Sequence, residues 1–181
     1  MAARSLPNVL VTGTPGTGKT ATASLIAEKT ELQHLEVSEL VKREECHEGW
    51  DEDRKSHIID EDKLLDAMEP LMEQGGQVVD FHGCDLFPER WFDLILVLRC
   101  NNTSLFDRLS ERGYSATKVS ENVECEIMQV ILEEARESFP VEIVHEVQSE
   151  SIEDMDSNVG RVAQWLEQWK VDRTAASASS D

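Results

Sequence analysis

The segment Gly13-Thr14-Pro15-Gly16-Thr17-Gly18-Lys19-Thr20 decides the fold of this 181-residue chain, because it matches the phosphate-binding pattern G-x-x-x-x-G-K-[ST] at every fixed position. The apolar run 6–11 before it predicts a buried strand, and residues 19–28 after it predict a helix. Glycines let a backbone wrap closely around phosphate oxygens, and a helix N-terminus adds its positive dipole. A Gly-rich turn without a ligand is the alternative, but pattern and setting together favour a nucleotide-phosphate site.

The residues of this loop have different predicted roles in holding a nucleoside triphosphate. Lys19 is expected to reach the β and γ phosphates, and the Thr20 hydroxyl is expected to coordinate Mg²⁺. Ala21 is expected to contribute only its backbone. The expected ATP contacts of the loop are Gly13, Gly16, Thr17, Gly18, Lys19, Thr20 and Ala21.

Alternating strands and helices along the rest of the chain predict an α/β fold. After the first strand, further strands are predicted at 33–37, 77–81, 92–98 and 142–147. Parallel strands need crossover connections, which are usually helices. We therefore predict a three-layer, doubly wound domain around a five-stranded parallel sheet.

The predicted helices follow from capping residues and apolar periodicity. They are expected at 61–73 after Asp60, from 102 to 113, at 121–138 after Ser120, and from Ser151 onward. The single domain is expected to span 1–173. The Ala/Ser-rich segment 174–181 is predicted to be disordered.

The charge of the chain limits its partners. With 17 Lys+Arg against 37 Asp+Glu, the formal net charge is −20, which opposes direct binding to nucleic acid or to anionic lipid. Apolar runs are too short to cross a membrane, and the four cysteines form no C-x-x-C pair. We expect a soluble, unsecreted protein with reduced thiols.

Two polar residues follow the predicted strand 77–81. Asp80 is expected at the carboxyl end of that strand, beside the phosphate loop, where its carboxylate would bind a magnesium-bound water. It could instead cap the following turn. His82 could orient an attacking water or hydroxyl, or it could donate to a loop carbonyl.

Few basic residues are available to neutralise a transferred phosphoryl group. Arg90 follows the Asp80 strand, Arg108 and Arg112 lie four residues apart on one helix, and Lys42 and Arg43 precede an acidic segment. Each one alone could be an ordinary solvated side chain. Their distribution over three loops expected at one edge of the sheet favours a shared anion site.

Several motifs together resemble the nuclear adenylate kinase isoenzyme 6 family, also called coilin-interacting nuclear ATPase. The resemblance covers residues 7–169 in the expected order. It is carried by the phosphate loop, by Gly49-Trp50-Asp51-Glu52 with Asp60-Glu61-Asp62, by Asp80-Phe81-His82-Gly83-Cys84-Asp85 with Phe87-Pro88-Glu89-Arg90-Trp91, and by Arg108-Leu109 with Glu111-Arg112-Gly113-Tyr114.

This resemblance implies a nucleoside-monophosphate-kinase fold of the P-loop NTPase type, with a monophosphate-binding flap near 36–59 and a short lid near 111–121. It also implies transfer of the γ-phosphoryl group of Mg-ATP to AMP or another monophosphate, together with ATP hydrolysis. Late maturation of the small ribosomal subunit and its rRNA, contact with a basic ribosomal protein and pre-ribosomes, and nuclear and cytoplasmic localisation are further implications.

The resemblance assigns roles to the basic residues. Arg112 matches the lid arginine, and Asp80 and His82 match an altered Walker B segment. Arg90 resembles the arginine that holds the acceptor phosphate in common adenylate kinases, although inserted residues lengthen the motif here. Lys42, with Arg43 adjacent, occupies the position of the basic residue in the acceptor flap.

Three hypotheses follow for the function. The first is an adenylate kinase with accompanying ATPase activity. The second is an ATP-switched ribosome assembly factor with only vestigial kinase activity, whose acidic segment 46–62 binds a basic ribosomal protein. The third is a kinase of another small metabolite, for which Asp80 or His82 would serve as general base.

Overall fold

The computed structural model describes residues 3–54 and 56–180. Strands of the described residues are, in chain order, β1 (Val9–Gly13), β2 (Gln33–Glu36), β3 (His47–Asp51), β4 (Ser56–Ile59), β5 (Gln77–Asp80), β6 (Leu94–Arg99) and β7 (Val144–Gln148). Five of them form one sheet in the order β2-β5-β1-β6-β7, and each neighbouring pair is parallel. The predicted doubly wound, five-stranded fold is confirmed.

The α-helices alternate with these strands and cover both faces of the sheet. Helices of the described residues are α1 (Lys19–Lys29), α2 (Val37–Arg43), α3 (Glu61–Gln74), α4 (Asn102–Glu111), α5 (Ala116–Ile127), α6 (Val130–Ser138) and α7 (Ile152–Ala178). Because alternate side chains of a strand face opposite sides, Val9 and Val11 pack with α1 and α7, whereas Leu10 packs with α3 and α6. None of these helices is long and apolar enough to span a membrane.

The sheet order places the functional edge at the carboxyl end of β1. The chain leaves β1 towards β2 on one side of the sheet, and it later passes from β6 to β7 on the other side. In open α/β sheets a crevice forms where the winding direction changes, and ligands bind there. The loop after β1 therefore lies in the position where a ligand is expected.

The polar segment predicted as an exposed flap has regular structure in part. Strands β3 and β4 pair in antiparallel fashion with a register shift between His47 and Gly49, and they form a hairpin outside the main sheet. Trp50 and Ile58 remain 47% and 46% exposed on it. The hairpin follows α2 and leads into α3, so it lies within the segment 36–59 assigned to the flap.

The predicted helix 121–138 is wrong in its bounds. Ser115 caps α5 by accepting a hydrogen bond from the Lys118 amide at 3.2 Å, so this helix begins before Ser120. It ends near Gln129, whose φ of 57° is left-handed. This break lets α5 and α6 take separate directions, so that Glu126 reaches Arg99 while Ile131 packs in the core.

The carboxyl-terminal segment also differs from its prediction. Helix α7 continues to Ala178, through most of the segment 174–181 predicted to be disordered. Alanine has the highest helix propensity, and adding residues to an existing helix avoids the cost of nucleation. The hydroxyls of Thr174 and Ser177 donate back to the carbonyls of Lys170 and Arg173 at 2.9 and 3.1 Å. Asp181 lies outside the described residues.

A buried asparagine holds the amino-terminal edge of the sheet. The Asn8 side chain is fully buried, and its Nδ2 donates to the carbonyls of Met72 and Trp91, both at 2.9 Å. Its Oδ1 accepts from the Gln77 amide at 3.1 Å. One side chain thereby joins the end of α3, the start of β5 and the loop that leads into β6.

Candidate active site

The phosphate loop has a backbone that only glycine adopts easily at key positions. Gly13 and Gly16 have φ of 151° and 94°. A Cβ on Gly16 would lie 2.9 Å from the side chains of Leu105 and Leu109, and one on Gly13 would lie 2.9 Å from the Leu98 carbonyl oxygen. Both steric crowding and backbone conformation therefore require glycine there.

Thr17 shapes this loop from within. Its amide and its hydroxyl both donate to the Thr14 carbonyl, at 3.2 and 2.8 Å, and its side chain is buried. Ser149 Oγ donates to the Thr17 carbonyl at 2.6 Å. Thr17 was predicted as an ATP contact, but in the structure both of its donors are used inside the loop. It supports the loop, and Ser149, which sequence reasoning missed, supports Thr17.

The protonation of Lys19 is influenced by its burial and by neighbouring charges. Its Nζ donates to the Thr14 carbonyl at 3.3 Å. Burial lowers the pKa of Lys19 to about 8, the Asp80 carboxylate opposes that shift, and the Arg112 guanidinium adds to it. Asp80 and Arg112 therefore lie close enough to Lys19 to influence its charge. Thr20 and Ala21 follow on the exposed first turn of α1.

The two arginines at the carboxyl end of α4, Arg108 within it and Arg112 just after it, differ in what they contact. Arg108 Nη1 donates to the carbonyls of Gly16 and Ser149 at 3.2 and 3.1 Å, and its Nη2 donates to that of Glu150 at 3.0 Å. It thereby joins the phosphate loop to the connection between β7 and α7. Arg112 lines the same cleft, of about 540 Å³, with Gly18. Arg108 is placed to hold the loop, and Arg112 is placed to meet a bound anion.

Asp80 and His82 lie on the opposite side of the phosphate loop. Asp80 ends β5 next to Val11 of β1, and its carboxylate is buried. The His82 side chain is exposed to solvent. The surrounding protein and the Lys19 ammonium nevertheless lower its pKa to about 4. His82 is therefore neutral at physiological pH. It makes no hydrogen bond to a loop carbonyl within residues 3–54 and 56–180, and its role towards a bound water or hydroxyl stays a prediction.

Lys118 is a further cationic residue near His82 that sequence reasoning missed. It lies on α5, and its Nζ donates to the Arg54 carbonyl at 3.1 Å and lies 4.2 Å from the centroid of the Tyr114 ring. Its charge also contributes to the lowered pKa of His82. The sequence signal that could have identified Lys118 was its position, because it is a lysine within the predicted lid of a strongly acidic chain.

Arg90 is not part of this site, and its predicted role in holding the acceptor phosphate is wrong. The loop after β5 returns to the amino-terminal edge of the sheet before β6 begins. There Arg90 pairs with Glu69 of α3 at 2.8 Å, and its carbonyl accepts from Arg4 at 3.0 Å. The length of the inserted segment carries Arg90 to the edge opposite the phosphate loop.

Replacing Arg90 by alanine therefore tests the corrected placement. Arg90→Ala is expected to change the KM for an acceptor monophosphate by less than about twofold, because its guanidinium faces Glu69 and not the cleft. Initial-rate kinetics at saturating ATP measure this. A rise in KM above about tenfold would return Arg90 to the acceptor site.

Lys42 and Arg43 lie in the last turn of α2. Lys42 pairs with Glu39 at 3.4 Å and Arg43 pairs with Glu44 at 3.3 Å, and all four side chains are exposed. Within the part of the chain that the structure describes, neither one hydrogen bonds to the phosphate loop. Their assignment to the acceptor phosphate remains a prediction.

The donor set at the loop fits a magnesium ion bound together with nucleotide. No group of three His, Cys, Asp or Glu side chains within residues 3–54 and 56–180 could hold a metal ion by itself. Mg²⁺ typically uses one or two carboxylates, nucleotide phosphates and water, so such a cluster is not required. Thr20, through its hydroxyl, and Asp80, through a bound water, would hold the ion.

The lowered pKa of Lys19 predicts that ATP binding takes up a proton at pH 8. About half of the Lys19 side chains are neutral at pH 8 before binding, and a polyphosphate raises the pKa again. Calorimetry in buffers of different ionisation enthalpy should give an uptake of about half a proton per ATP. Lys19→Met should lose this uptake, and an unchanged value in that variant would assign the proton to another group.

Comparison with known proteins agrees with this geometry. Residues 9–129 match a family model described as an AAA domain. The chain is 51% identical over 166 residues to the adenylate kinase isoenzyme 6 homolog of Dictyostelium discoideum, covering 92% of this chain and 95% of that one. It is 49% identical over 164 residues to the homolog FAP7 of Saccharomyces cerevisiae, covering 90% and 83%.

Solved structures show the same fold at low sequence identity. Shikimate kinase from Acinetobacter baumannii, in complex with shikimate, superposes with a TM-score of 0.60 at 15% identity, covering 91% of this chain and 95% of that one. Shikimate kinase from Bacteroides thetaiotaomicron gives 0.56 at 18% identity, covering 90% and 99%. Taken with the phosphate loop and the sequence identities, these similarities show that the chain belongs to the adenylate kinase isoenzyme 6 family and is a nucleotide kinase with a P-loop kinase fold.

Proposed function

We propose that this chain transfers the γ-phosphoryl group of Mg-ATP to AMP, forming two ADP, and that it also hydrolyses ATP. The observation that carries the proposal is the convergence of Lys19, Arg112 and Asp80 at the phosphate loop. Phosphoryl transfer needs charge neutralisation and positioning more than covalent help from protein. Two cations and one carboxylate around a phosphate loop supply this charge neutralisation and this positioning.

Each residue has a role in this proposal. Lys19 binds the β and γ phosphates, and Arg112 offsets charge on the transferred group. Mg²⁺, held through the Thr20 hydroxyl and an Asp80-bound water, would withdraw charge from the phosphates. Neutral His82 accepts a hydrogen bond from a water or hydroxyl that approaches the γ-phosphorus, which accounts for hydrolysis when the acceptor is absent.

The acceptor is assigned from the relatives, because the fold alone does not decide it. Shikimate kinases share the fold at only 15–18% identity, whereas relatives at about half identity are named adenylate kinase isoenzyme 6 homologs. The hairpin β3–β4 approaches the lid through the contact between Arg54 and Lys118. A monophosphate would bind beneath this hairpin, and closure would exclude water.

Product analysis tests the proposed reaction directly. ATP and Mg²⁺ are incubated with AMP, CMP, UMP or shikimate, and nucleotides are separated by chromatography. AMP should yield two ADP per ATP consumed, and Lys29→Met, on the exposed far end of α1, should behave as wild type. Phosphorylation of shikimate but of no monophosphate would favour the metabolite-kinase hypothesis. No product with any acceptor would overturn the kinase proposal.

The acidic hairpin supports a second function, as an ATP-switched factor in small-subunit ribosome assembly and rRNA maturation. Exposed acidic side chains are concentrated on the hairpin and the turn into α3: Glu48, Glu52, Asp53, Glu61 and Asp62. Such a surface suits a basic ribosomal protein better than RNA. Nuclear and cytoplasmic localisation would accompany this role.

Charge reversal tests whether partner binding depends on this acidic surface or on the net charge of the whole chain. Glu48, Glu52 and Asp53 are replaced by lysine, and Glu153, Asp156 and Glu167 of the exposed face of α7 are reversed as a control with the same change in net charge. Binding to basic small-subunit ribosomal proteins should weaken only in the hairpin variant. Equal weakening in both variants would indicate nonspecific attraction and contradict a docking role of the hairpin.

A further inference from the structure

A histidine on the neighbouring strand contacts the carboxylate assigned to the magnesium site. His34 Nε2 lies 3.2 Å from Asp80 Oδ2. The Asp80 side chain is 4% exposed and that of His34 is 19% exposed, so this contact is largely removed from water. A buried carboxylate requires hydrogen-bond partners, and His34 is the one that the structure gives it within residues 3–54 and 56–180.

The sheet order creates this contact. Strand β2 pairs with β5 in parallel register, with Glu36 beside Asp80 and His34 beside Val78. Since residues two apart on a strand share a face, His34 and Asp80 are diagonal neighbours on the face that packs against α1, where Val78 contacts the α1 core. That face leads to the first turn of α1, which carries Lys19 and Thr20.

The contact leaves part of Asp80 available to a ligand. His34 contacts Oδ2, and Oδ1 has no hydrogen bond within residues 3–54 and 56–180, so Oδ1 remains available to a ligand. A carboxylate held by one oxygen has a restricted χ1 and χ2, and its second oxygen keeps a fixed direction. Partners that hold a metal-binding side chain in this way typically improve metal affinity by about ten- to a hundredfold.

We propose that His34 is a positioning residue that fixes the Asp80 carboxylate for the metal of Mg-ATP. This inference rests on the proposed nucleotide site but not on the identity of the acceptor. His34 acts through Asp80 and touches neither phosphate nor metal. Its effect should therefore appear in the metal-dependent part of nucleotide affinity.

The test compares variants that keep or remove the donor. His34→Gln carries an amide NH₂ that can reach the position of Nε2, His34→Asn is polar but too short, and His34→Leu is apolar. His145→Leu is the matched control, since His145 lies exposed on β7 at the opposite edge of the sheet. ATP affinity is measured by calorimetry with Mg²⁺ and with EDTA, and thermal melting checks folding.

Leucine and asparagine at position 34 should weaken ATP binding about tenfold with Mg²⁺ but less than about twofold with EDTA, and glutamine should restore most of the difference. Should the leucine variant not fold, the comparison of asparagine with glutamine decides. Equal losses with Mg²⁺ and EDTA, or a glutamine variant as weak as asparagine, would overturn the role of His34. Because no acceptor is present, failure of the AMP reaction would leave this result unaffected.

Discussion

Replacing Lys19 by methionine is expected to lower kcat/KM for phosphoryl transfer by about 10³-fold, the loss typical of removing one preorganised charge from a transition state. Methionine keeps the length and the apolar stem of the side chain, so the loop retains its packing. The lost ammonium would leave Arg112 as the neighbouring cation that acts on the β and γ phosphates. Initial rates with ATP and AMP measure the effect.

The same substitution should stabilise the fold, which distinguishes lost chemistry from lost structure. The pKa of Lys19 falls from 10.5 to about 8 on folding, so between pH 8 and 10.5 the unfolded chain binds more protons than the folded chain. The contribution of Lys19 to the free energy of unfolding of the wild type therefore rises with pH between 8 and 10.5. At pH 7 Lys19→Met should be more stable by about 1–3 kcal/mol, and this advantage should shrink towards pH 10.

Urea unfolding at pH 7 and pH 10 gives the free energies, with Lys29→Met as control because Lys29 ends the same helix in solvent. Lys29→Met should change activity by less than about twofold. A Lys19→Met enzyme that retains more than about a tenth of wild-type activity would remove Lys19 from the catalytic machinery. A Lys19→Met protein that is less stable than the wild type would show that burial of the ammonium does not destabilise the fold.

Asn8→Leu is expected to lower the free energy of unfolding by about 3–5 kcal/mol, although it replaces a polar side chain by an apolar one of similar size. Two buried carbonyls, of Met72 and Trp91, and the Gln77 amide would lose their partner together. Desolvated groups without a hydrogen bond each cost about 1–3 kcal/mol. A typical domain has only about 5–15 kcal/mol of stability, so this loss is a large part of it.

Chemical denaturation monitored by tryptophan fluorescence follows this loss, and Trp91 lies next to the altered contact. Asn102→Leu, at an exposed position in the first turn of α4, is the control and should change stability by less than about 0.5 kcal/mol. An Asn8→Leu protein within about 1 kcal/mol of wild type would mean that water or backbone movement replaces the three hydrogen bonds.

The core of the fold was accessible from sequence because its signals are local. Gly13, Gly16 and Lys19 belong to one motif whose backbone geometry demands a strand before it and a helix after it. Apolar runs located the other strands to within a few residues. The hairpin β3–β4 was not predicted as such, because its polar residues show no alternation against a core.

Site residues outside the loop depend on the path of the chain, which sequence spacing does not give. Arg90 lies ten residues after Asp80, and ten extended residues span about 33–36 Å, enough to cross the sheet. The resemblance identified the residue but not the edge it reaches. His34 contacts Asp80 only because β2 neighbours β5, an order that depends on tertiary packing.

The hydrogen bond from Lys118 to the Arg54 carbonyl forms a bridge between α5 and the turn of the β3–β4 hairpin. If the hairpin closes over a bound nucleotide as proposed, this bridge must break before the nucleotide leaves. A single exposed hydrogen bond costs about 1 kcal/mol to break, so the bridged form outnumbers the open one by about fivefold. At that ratio the bridge opens often, so we expect the contacts of Lys19 and Arg112 with the phosphates, and not the bridge, to set the residence time of a bound nucleotide.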